Sequence, residues 1–422
     1  MKNYQHLLQE YGVDLSNYDN DKLWVDRLIV RGITYNGDII KICRLKVTDD
    51  LKYTYKFYDN LPNNKDLETY EETYQRLSKQ ILDKENESIN IIKDTLHKYP
   101  NHQVVLTTSM GKDSKLTEYL LNKVTNNYRI IFNNTTLDCA DVYKEAKSIK
   151  DIEIVTPKMS NGKNRSFYRM IRLHGTPSRF SRWCCSYFKE WAINQYLKDQ
   201  DNILFFMGIR NEESNTRSGY DWEYKNINWS NKTWIGCLPI RKWTELELWL
   251  YTIHNNISIN PKYQKGYQRV GCHIACPYYT KSTWVLDKYW FPKAYNRFHN
   301  ILQQDFEQGE KWTRLNCTCD EYHLNWNGGQ LRKEPTEEVI NEFMEYKGLE
   351  SKDLALQYFD KRCESCNKKV YKKDEIAMNL KLFGRTINKF KCKKCLMKEM
   401  GWSNQEWDNY VKRFKQQECK LF

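Results

Sequence analysis

Apolar residues recur along this chain with two periods that alternate. Gln103–Thr108, Tyr128–Phe132, Ile152–Val155 and Asn202–Met207 are short, nearly unbroken apolar runs rich in β-branched residues, the pattern of strands buried on both faces of a sheet. Between the first two, Leu116, Tyr119, Leu120 and Val124 fall three and four apart, which builds one helix face, and Asp141–Lys150 reads as a further helix. Strand, helix, strand, helix, strand predicts an α/β fold: a parallel twisted sheet flanked by helices. Ligands of such sheets bind beyond the carboxyl ends of the strands. The polar segments that follow the runs, Ser109–Ser114, Asn133–Thr136 and the stretch from Gly208, are therefore where chemistry is expected.

Residues 1–62 follow another rhythm and predict a small α+β region. Trp24–Val30 and Ile39–Cys43 read as strands around the turn Asn36-Gly37, and Lys52–Tyr58 alternates lysine with aromatics. Leu61–Asn64 marks a boundary. From Leu67 to His97 the pattern is helical, with an expected interruption near Asp83–Asn86. The expected organisation is a strand-rich region over 1–62, a nucleotide-binding domain with its preceding helix over 63–300, a helical connector over 301–360, and a basic module over 361–422.

Composition narrows the class. In 422 residues, 40% are hydrophobic and 14% aromatic, enough for a real core and too much for a disordered chain. No apolar run approaches the ~20 residues of a membrane span, and the start lacks an apolar export core, so a cytoplasmic protein without a membrane partner is expected. Fourteen cysteines in such a chain point to metal or chemistry before disulfides. The net charge of +13 is uneven: residues 361–422 hold 17 Lys and Arg against 7 Asp and Glu, a net +10.

That basic tail contains Cys363-x2-Cys366 and Cys392-x2-Cys395. Two such knuckles predict a closed four-thiolate zinc site, structural because no coordination position stays open, in a zinc-ribbon-like module. Eight lysines and several aromatics surround the knuckles. They suit a nucleic-acid partner, a solvated face or a protein contact. Elsewhere, Ser109-Met110-Gly111-Lys112-Asp113-Ser114 sits at a strand-to-helix junction. A helix start presents N–H groups to anions, and Lys112 with the Ser109 and Ser114 hydroxyls adds donors. A capped helix after a tight turn is the alternative.

The hexapeptide resembles the Ser-Gly-Gly-Lys-Asp-Ser loop of the PP-loop ATP pyrophosphatase (adenine nucleotide alpha-hydrolase-like) superfamily, with Met110 in place of the first glycine. Four further segments, in order, resemble its PAPS (phosphoadenosine phosphosulfate) reductase-like branch: Arg182-Trp183-Cys184-Cys185 through Lys189, Gly208-Ile209-Arg210 through Glu213, Ser214 and Arg217, Pro239-Ile240 through Trp249, and Asn260-Pro261 through Cys272, Cys276 and Pro277. The resemblance implies that residues 109–114 bind the phosphates of ATP or a related adenine nucleotide, with magnesium. It implies that Gly208, Arg210, Glu213, Ser214 and Arg217 complete the nucleotide site. Glu213 with Arg217 also reads as an i,i+4 helix pair. Cys184, Cys185, Cys272 and Cys276 resemble the ligands of a [4Fe–4S] cluster, although the second pair is Cys-x3-Cys; zinc and free thiols remain alternatives.

The retained Lys112-Asp113-Ser114 favours ATP, as in ATP sulfurylase small subunits and DndC-type DNA phosphorothioation proteins. The expected activity is then adenylation of a target with pyrophosphate release, catalysed by Lys112 and Arg210, for sulfur transfer to or modification of nucleic acid. A protein partner would supply sulfur or electrons. A sulfonucleotide reductase with Cys419 as nucleophile is a second reading. A retired nucleotide sensor, with the Met110 side chain crowding the phosphates, is a third.

Overall fold

The computed structural model describes residues 2–48, 50–159, 162–174, 176–177, 182–226, 233–308, 362–368, 370, 373–383 and 390–416. They form two compact units, one holding both sheets and one holding the paired knuckles. Cys317, Cys319, Cys419 and most of the expected connector 301–360 lie outside the described residues.

The first unit opens with helix α1 (Lys2–Glu10) and an antiparallel sheet in the order β1 (Trp24–Asp26), β2 (Ile29–Ile33), β3 (Ile39–Val47), β4 (Tyr53–Phe57). The expected single strand Trp24–Val30 is instead a hairpin. Arg27 and Leu28 take positive φ of 46° and 67° and turn the chain between β1 and β2. Val30, Ile42, Cys43, Leu45 and Tyr53 are buried on the inner face. Tyr53 hydroxyl reaches Ser282 Oγ at 2.9 Å, at the start of helix α10, which spans Lys281–Trp290.

Helix α2 (Tyr70–Lys98) runs unbroken through the expected interruption. Thr69 and Glu72 form a capping box at its start. Polar residues at and just after that stretch find partners both within the helix and outside it. Glu85 pairs with Lys123. Ser88 hydroxyl donates to the carbonyls of Lys84 and Pro239, each at 2.9 Å, and accepts from Trp243 Nε1 at 2.9 Å.

The second sheet has six strands: β5 (Gln103–Thr108), β6 (Arg129–Asn133), β7 (Glu153–Val155), β8 (Ile203–Met207), β9 (Glu223–Tyr224) and β10 (Ile235–Cys237). Their order is β7-β6-β5-β8-β10-β9, parallel except for the edge pair β10–β9. Helices α3 (Lys112–Asn122) and α4 (Ala140–Ser148) connect β5, β6 and β7. Helix α5 (Phe167–His174), α6 (Trp183–Cys185), α7 (Trp191–Tyr196), α8 (Asn215–Ser218) and α9 (Glu245–His254) follow, then α10 and α11 (Pro292–Gln308). One core layer packs α2, α3 and α9 on the sheet through Leu116, Leu120, Phe206, Trp243 and Tyr251; another buries Val105, Ile131, Phe205 and Trp234 on the opposite face. After β5 the chain crosses to β6 on one side, and β8 lies on the other. The crevice at this reversal, beyond the carboxyl ends of β5 and β8, is where such sheets bind ligands.

The second unit carries α12 (Lys373–Phe383), α13 (Lys393–Met400) and α14 (Asn404–Gln416), packed around Met378, Leu396, Trp407 and Val411. Cys363 and Cys366 lie in a turn before α12, with Cys363 bridged to Phe390 just ahead of the second knuckle, and Cys392 and Cys395 stand at the start of α13.

Candidate nucleotide site and cysteine centres

Strand β5 ends at Thr108, and its hydroxyl ties the loop that follows. Met110 N–H donates to Thr108 Oγ1 at 3.1 Å, Thr108 Oγ1 meets Ser114 Oγ at 3.2 Å, and Ser114 Oγ donates to the Gly111 carbonyl at 2.9 Å. Met110 adopts φ 58°, a left-handed conformation that ordinarily favours glycine. Its side chain is fully buried against Phe132, Cys139, Val142 and Val270. The side chain that the retired-sensor reading had crowding the phosphates belongs to the core.

Lys112 begins α3 and is nearly buried. Its Nζ lies 3.1 Å from Asp113 and 3.4 Å from Glu245. Burial disfavours its charge, but Tyr263, Asp113 and Glu245 outweigh that and hold its pKa above the ordinary value. Its backbone N–H donates to Tyr263 Oη at 3.0 Å, and the Tyr263 ring lies under the ammonium. Gly208, at the end of β8, abuts the start of α3. A Cβ there would fall 2.5 Å from the Asp113 carbonyl carbon and 2.7 Å from Ser114 N. Only glycine permits that approach.

Arg210, expected in the nucleotide site and in catalysis, has its guanidinium occupied within the protein. Nε donates to Asp113 at 2.5 Å, Nη1 to Glu212 at 3.0 Å and to the Trp243 carbonyl at 3.3 Å, and Nη2 to Glu245. This buried arginine fixes Asp113 and Glu245, which in turn hold Lys112. Burial works to raise the Asp113 pKa, yet Lys112 and Arg210 keep it below the ordinary carboxylate value. Glu213 accepts from Arg210 N–H at 2.9 Å and pairs with Arg217, the i,i+4 contact that its spacing allowed. Ser214 Oγ caps α8 through Arg217 N–H at 3.2 Å. Tyr263 and Glu245 were not identified as site residues in the sequence: their roles depend on contacts across more than 100 residues.

The first cysteine group gathers at the same end of the sheet. Asp138, beyond β6, accepts Thr135 Oγ1 at 2.6 Å and Cys272 N–H at 3.0 Å, while His273 N–H reaches the Leu137 carbonyl. The Cys272–Cys276 loop is strained, with Cys272 at φ 35° and Ile274 at φ 60°. Cys184 and Cys185 form the last residues of α6, which passes through a π-helical turn, Ser186–Glu190, into α7. Such turns concentrate at functional sites. Arg165 braces it, with its guanidinium 4.9 Å from the Tyr187 ring and 5.1 Å from Trp191.

Cations face the sulfurs. Arg269 Nη2 lies 2.6 Å from Cys276 Sγ, and Lys189 hydrogen-bonds Cys272. A hydrogen bond with Cys184 brings the Cys185 thiol to about 6 against the cost of burial, with Lys189 and Arg182 assisting; Cys184 is raised in turn. Burial raises Cys272 to about 11 although Lys189 opposes it. Thiols answered by cations make a donor set suited to an anionic, thiolate-ligated group. Lys189 is a further residue that the sequence did not single out for this role.

In the second unit Cys363, Cys366, Cys392 and Cys395 converge, with all four sulfurs within 4.8 Å of one another. Cys366 and Cys392 Sγ are 3.7 Å apart, against the ~3.8 Å between thiolates tetrahedral about a zinc ion at ~2.3 Å. Backbone N–H groups of Cys392, Ser365 and Cys366 outweigh burial and lower Cys363 to about 6. Buried Asn379 ties the second knuckle to α12, bonding the Lys391 carbonyl and N–H, each at 2.8 Å. Part of the expected basic face is neutralised, since Lys391 pairs with Glu364 and Glu399, and Lys393 with Asp408.

Residues 103–277, which contain the whole nucleotide crevice and the first cysteine group, match the phosphoadenosine phosphosulfate reductase domain. This segment is a PAPS reductase-like domain. An uncharacterized protein of Methanocaldococcus jannaschii is 30% identical over 64% of the chain, which spans 61% of that relative. Adenosine 5'-phosphosulfate reductase 2 of Bacillus subtilis is 24% identical over 49% of the chain and 86% of the relative. Among solved structures, a PAPS reductase from Candida auris aligns over 47% of the chain and 93% of its own, with 18% identity and a TM-score of 0.36. The PAPS reductase domain accounts for the parallel sheet and the crevice; the matched span includes neither the N-terminal sheet nor the second unit. Among the described residues, no helix is long and apolar enough to cross a membrane.

Proposed function

We propose that this protein binds ATP in the crevice between β5 and β8 and transfers its adenylyl group to an acceptor, releasing pyrophosphate. One observation carries the reading: Lys112 stands at the start of α3 as a cation held by Asp113 and Glu245, while the one bulky residue of the loop, Met110, is turned into the core. An oxygen of the acceptor attacks the α-phosphorus, the bond from that phosphorus to the bridging oxygen breaks, and pyrophosphate leaves with the electron pair. Loop N–H groups and Lys112 stabilise the charge gathering on the leaving group. Magnesium bound with the nucleotide would share that task.

The residues Cys184, Cys185, Cys272 and Cys276 fit a [4Fe–4S] cluster, with Lys189 and Arg269 offsetting its negative charge. Held by these four cysteines, such a cluster would supply a site for sulfur or electrons. A nucleic acid modified with sulfur is the acceptor class that this reading favours. The four sulfurs of the second unit fit zinc, which would hold that module folded.

The test is release of labelled pyrophosphate from ATP by anaerobically purified protein, with and without nucleic acid. Release is expected, and Lys112→Ala should abolish it. Turnover that survives Lys112→Ala would remove the basis of the reading. A second reading, reduction of a sulfonucleotide, draws on the similarity to the adenosine 5'-phosphosulfate reductase. It requires thiol-dependent sulfite release that disappears in Cys419→Ser.

A further inference from the structure

We propose that the outward face of the N-terminal sheet docks the phosphate backbone of a nucleic acid. Residues 1–62 contain nine Lys and Arg and nine Asp and Glu, so their composition gives no sign of it. The fold sorts these charges. On β1 to β4 the charged residues are Arg31, Lys41, Arg44, Lys46 and Lys56, with Asp26 the one acid. The register sets Arg31 directly opposite Lys41, and Arg44 directly opposite Lys56. Val30, Ile42, Cys43 and Leu45 occupy the buried face, so the cations project from the other.

Like charges facing each other across antiparallel strands destabilise a sheet. Asp26 relieves one pair through Arg31, at 3.2 Å. Lys41, Arg44, Lys46 and Lys56 are exposed, and none has a carboxylate partner among the described residues. Arg44 and Lys46 stand roughly 7 Å apart along one strand, and Arg44 and Lys56 about 5 Å apart across two. This compact patch of uncompensated cations, kept at a cost to the fold, complements an extended polyanion. Trp24, opposite Arg31 on the same face, adds a half-buried ring beside the cations, the combination that single-stranded nucleic acids use for stacking and charge. The inference gives the proposed acceptor a place to bind and rests on that reading only for the acceptor's identity; binding is measured apart from turnover.

The experiment is fluorescence anisotropy of a labelled single-stranded RNA oligonucleotide and of its duplex, titrated with the full chain at several salt concentrations. The combined variant Arg44→Ala, Lys46→Ala, Lys56→Ala should bind at least ~10-fold more weakly, with the salt slope reduced by about two to three. Its thermal midpoint should stay level or rise, because like-charge repulsion is removed. Lys112→Ala should bind as the unmodified protein does, which separates failure of catalysis from failure of docking. If the triple variant unfolds, Lys46→Gln alone should reduce the slope by about 0.7–0.9. Binding of both oligonucleotides unchanged in a folded variant overturns the proposal. So does loss confined to Lys368→Ala with Lys394→Ala in the second unit, no binding by the unmodified protein, or an effect seen with anionic lipid vesicles and not with oligonucleotides.

Discussion

At Gly208 a single hydrogen in place of a methyl group lets the end of β8 touch the first turn of α3. Gly208→Ala puts a Cβ against backbone atoms that cannot swing aside, and the cost is expected near the upper end of ~1–3 kcal/mol or beyond. Chemical denaturation would measure it. Asp113 makes a prediction with a sign. Its pKa is lowered in the folded chain, so its stabilisation is complete above the unfolded value of about 3.9 and fades as pH falls through the lower folded value. Stability should therefore rise with pH across that acidic window, and Asp113→Asn should flatten part of the slope in urea midpoints measured from pH 2 to pH 5. The candidate residues of the crevice loop and of the cysteine pairs could be proposed from the sequence because short-range motifs carry them. Glu245 and Tyr263 could not, because each acts on Lys112 from more than 100 residues away. Arg210 was legible as important but not in its duty, since its carboxylate partners Asp113 and Glu245 lie 97 and 35 residues away.

Among elements, the strands of the parallel sheet were readable because burial on both faces leaves continuous apolar runs. β9 and β10, Glu223–Tyr224 and Ile235–Cys237, were not, because neither lies in a continuous run of β-branched residues. The hairpin between β1 and β2 was hidden because Arg27 and Leu28 are poor advertisements for a turn, and the unbroken α2 because Glu85 and Ser88 find partners in Lys123, just past α3, and in Pro239 and Trp243, before α9. Helix α9, which supplies Glu245, starts from a capping box in which Thr244 and Glu247 exchange hydrogen bonds. Thr244→Ala should cost about 1 kcal/mol of stability and should also weaken ATP binding, by loosening the turn that presents Glu245. Isothermal titration with a non-hydrolysable ATP analogue would read the second effect.

For the whole molecule, two units imply two unfolding events with different triggers. One zinc per chain is expected, and a chelator should melt α12 to α14 while leaving the sheets folded. Circular dichroism would show a partial loss of helix, and the heat transition of the first unit should persist. Anaerobic protein should hold about four irons per chain, lost on replacing Cys272 with serine while the zinc content stays. The +10 of the terminal 62 residues suited a nucleic-acid partner there, yet Lys391 and Lys393 are ion-paired, whereas a region of zero net charge exposes an uncompensated patch. Net charge is additive over sequence; a binding surface depends on which residues the register places side by side.

The π-helical turn at Ser186–Glu190 adds, in effect, one residue to the helix that carries Cys184 and Cys185. Removing one residue there would restore an ordinary α-helix and rotate the cysteine pair by about 100° relative to α7. All four cysteines would still be present, but two would face away from Cys272 and Cys276. The centre is thus specified by chain length as well as by residue identity, and a one-codon deletion could silence it without touching a ligand.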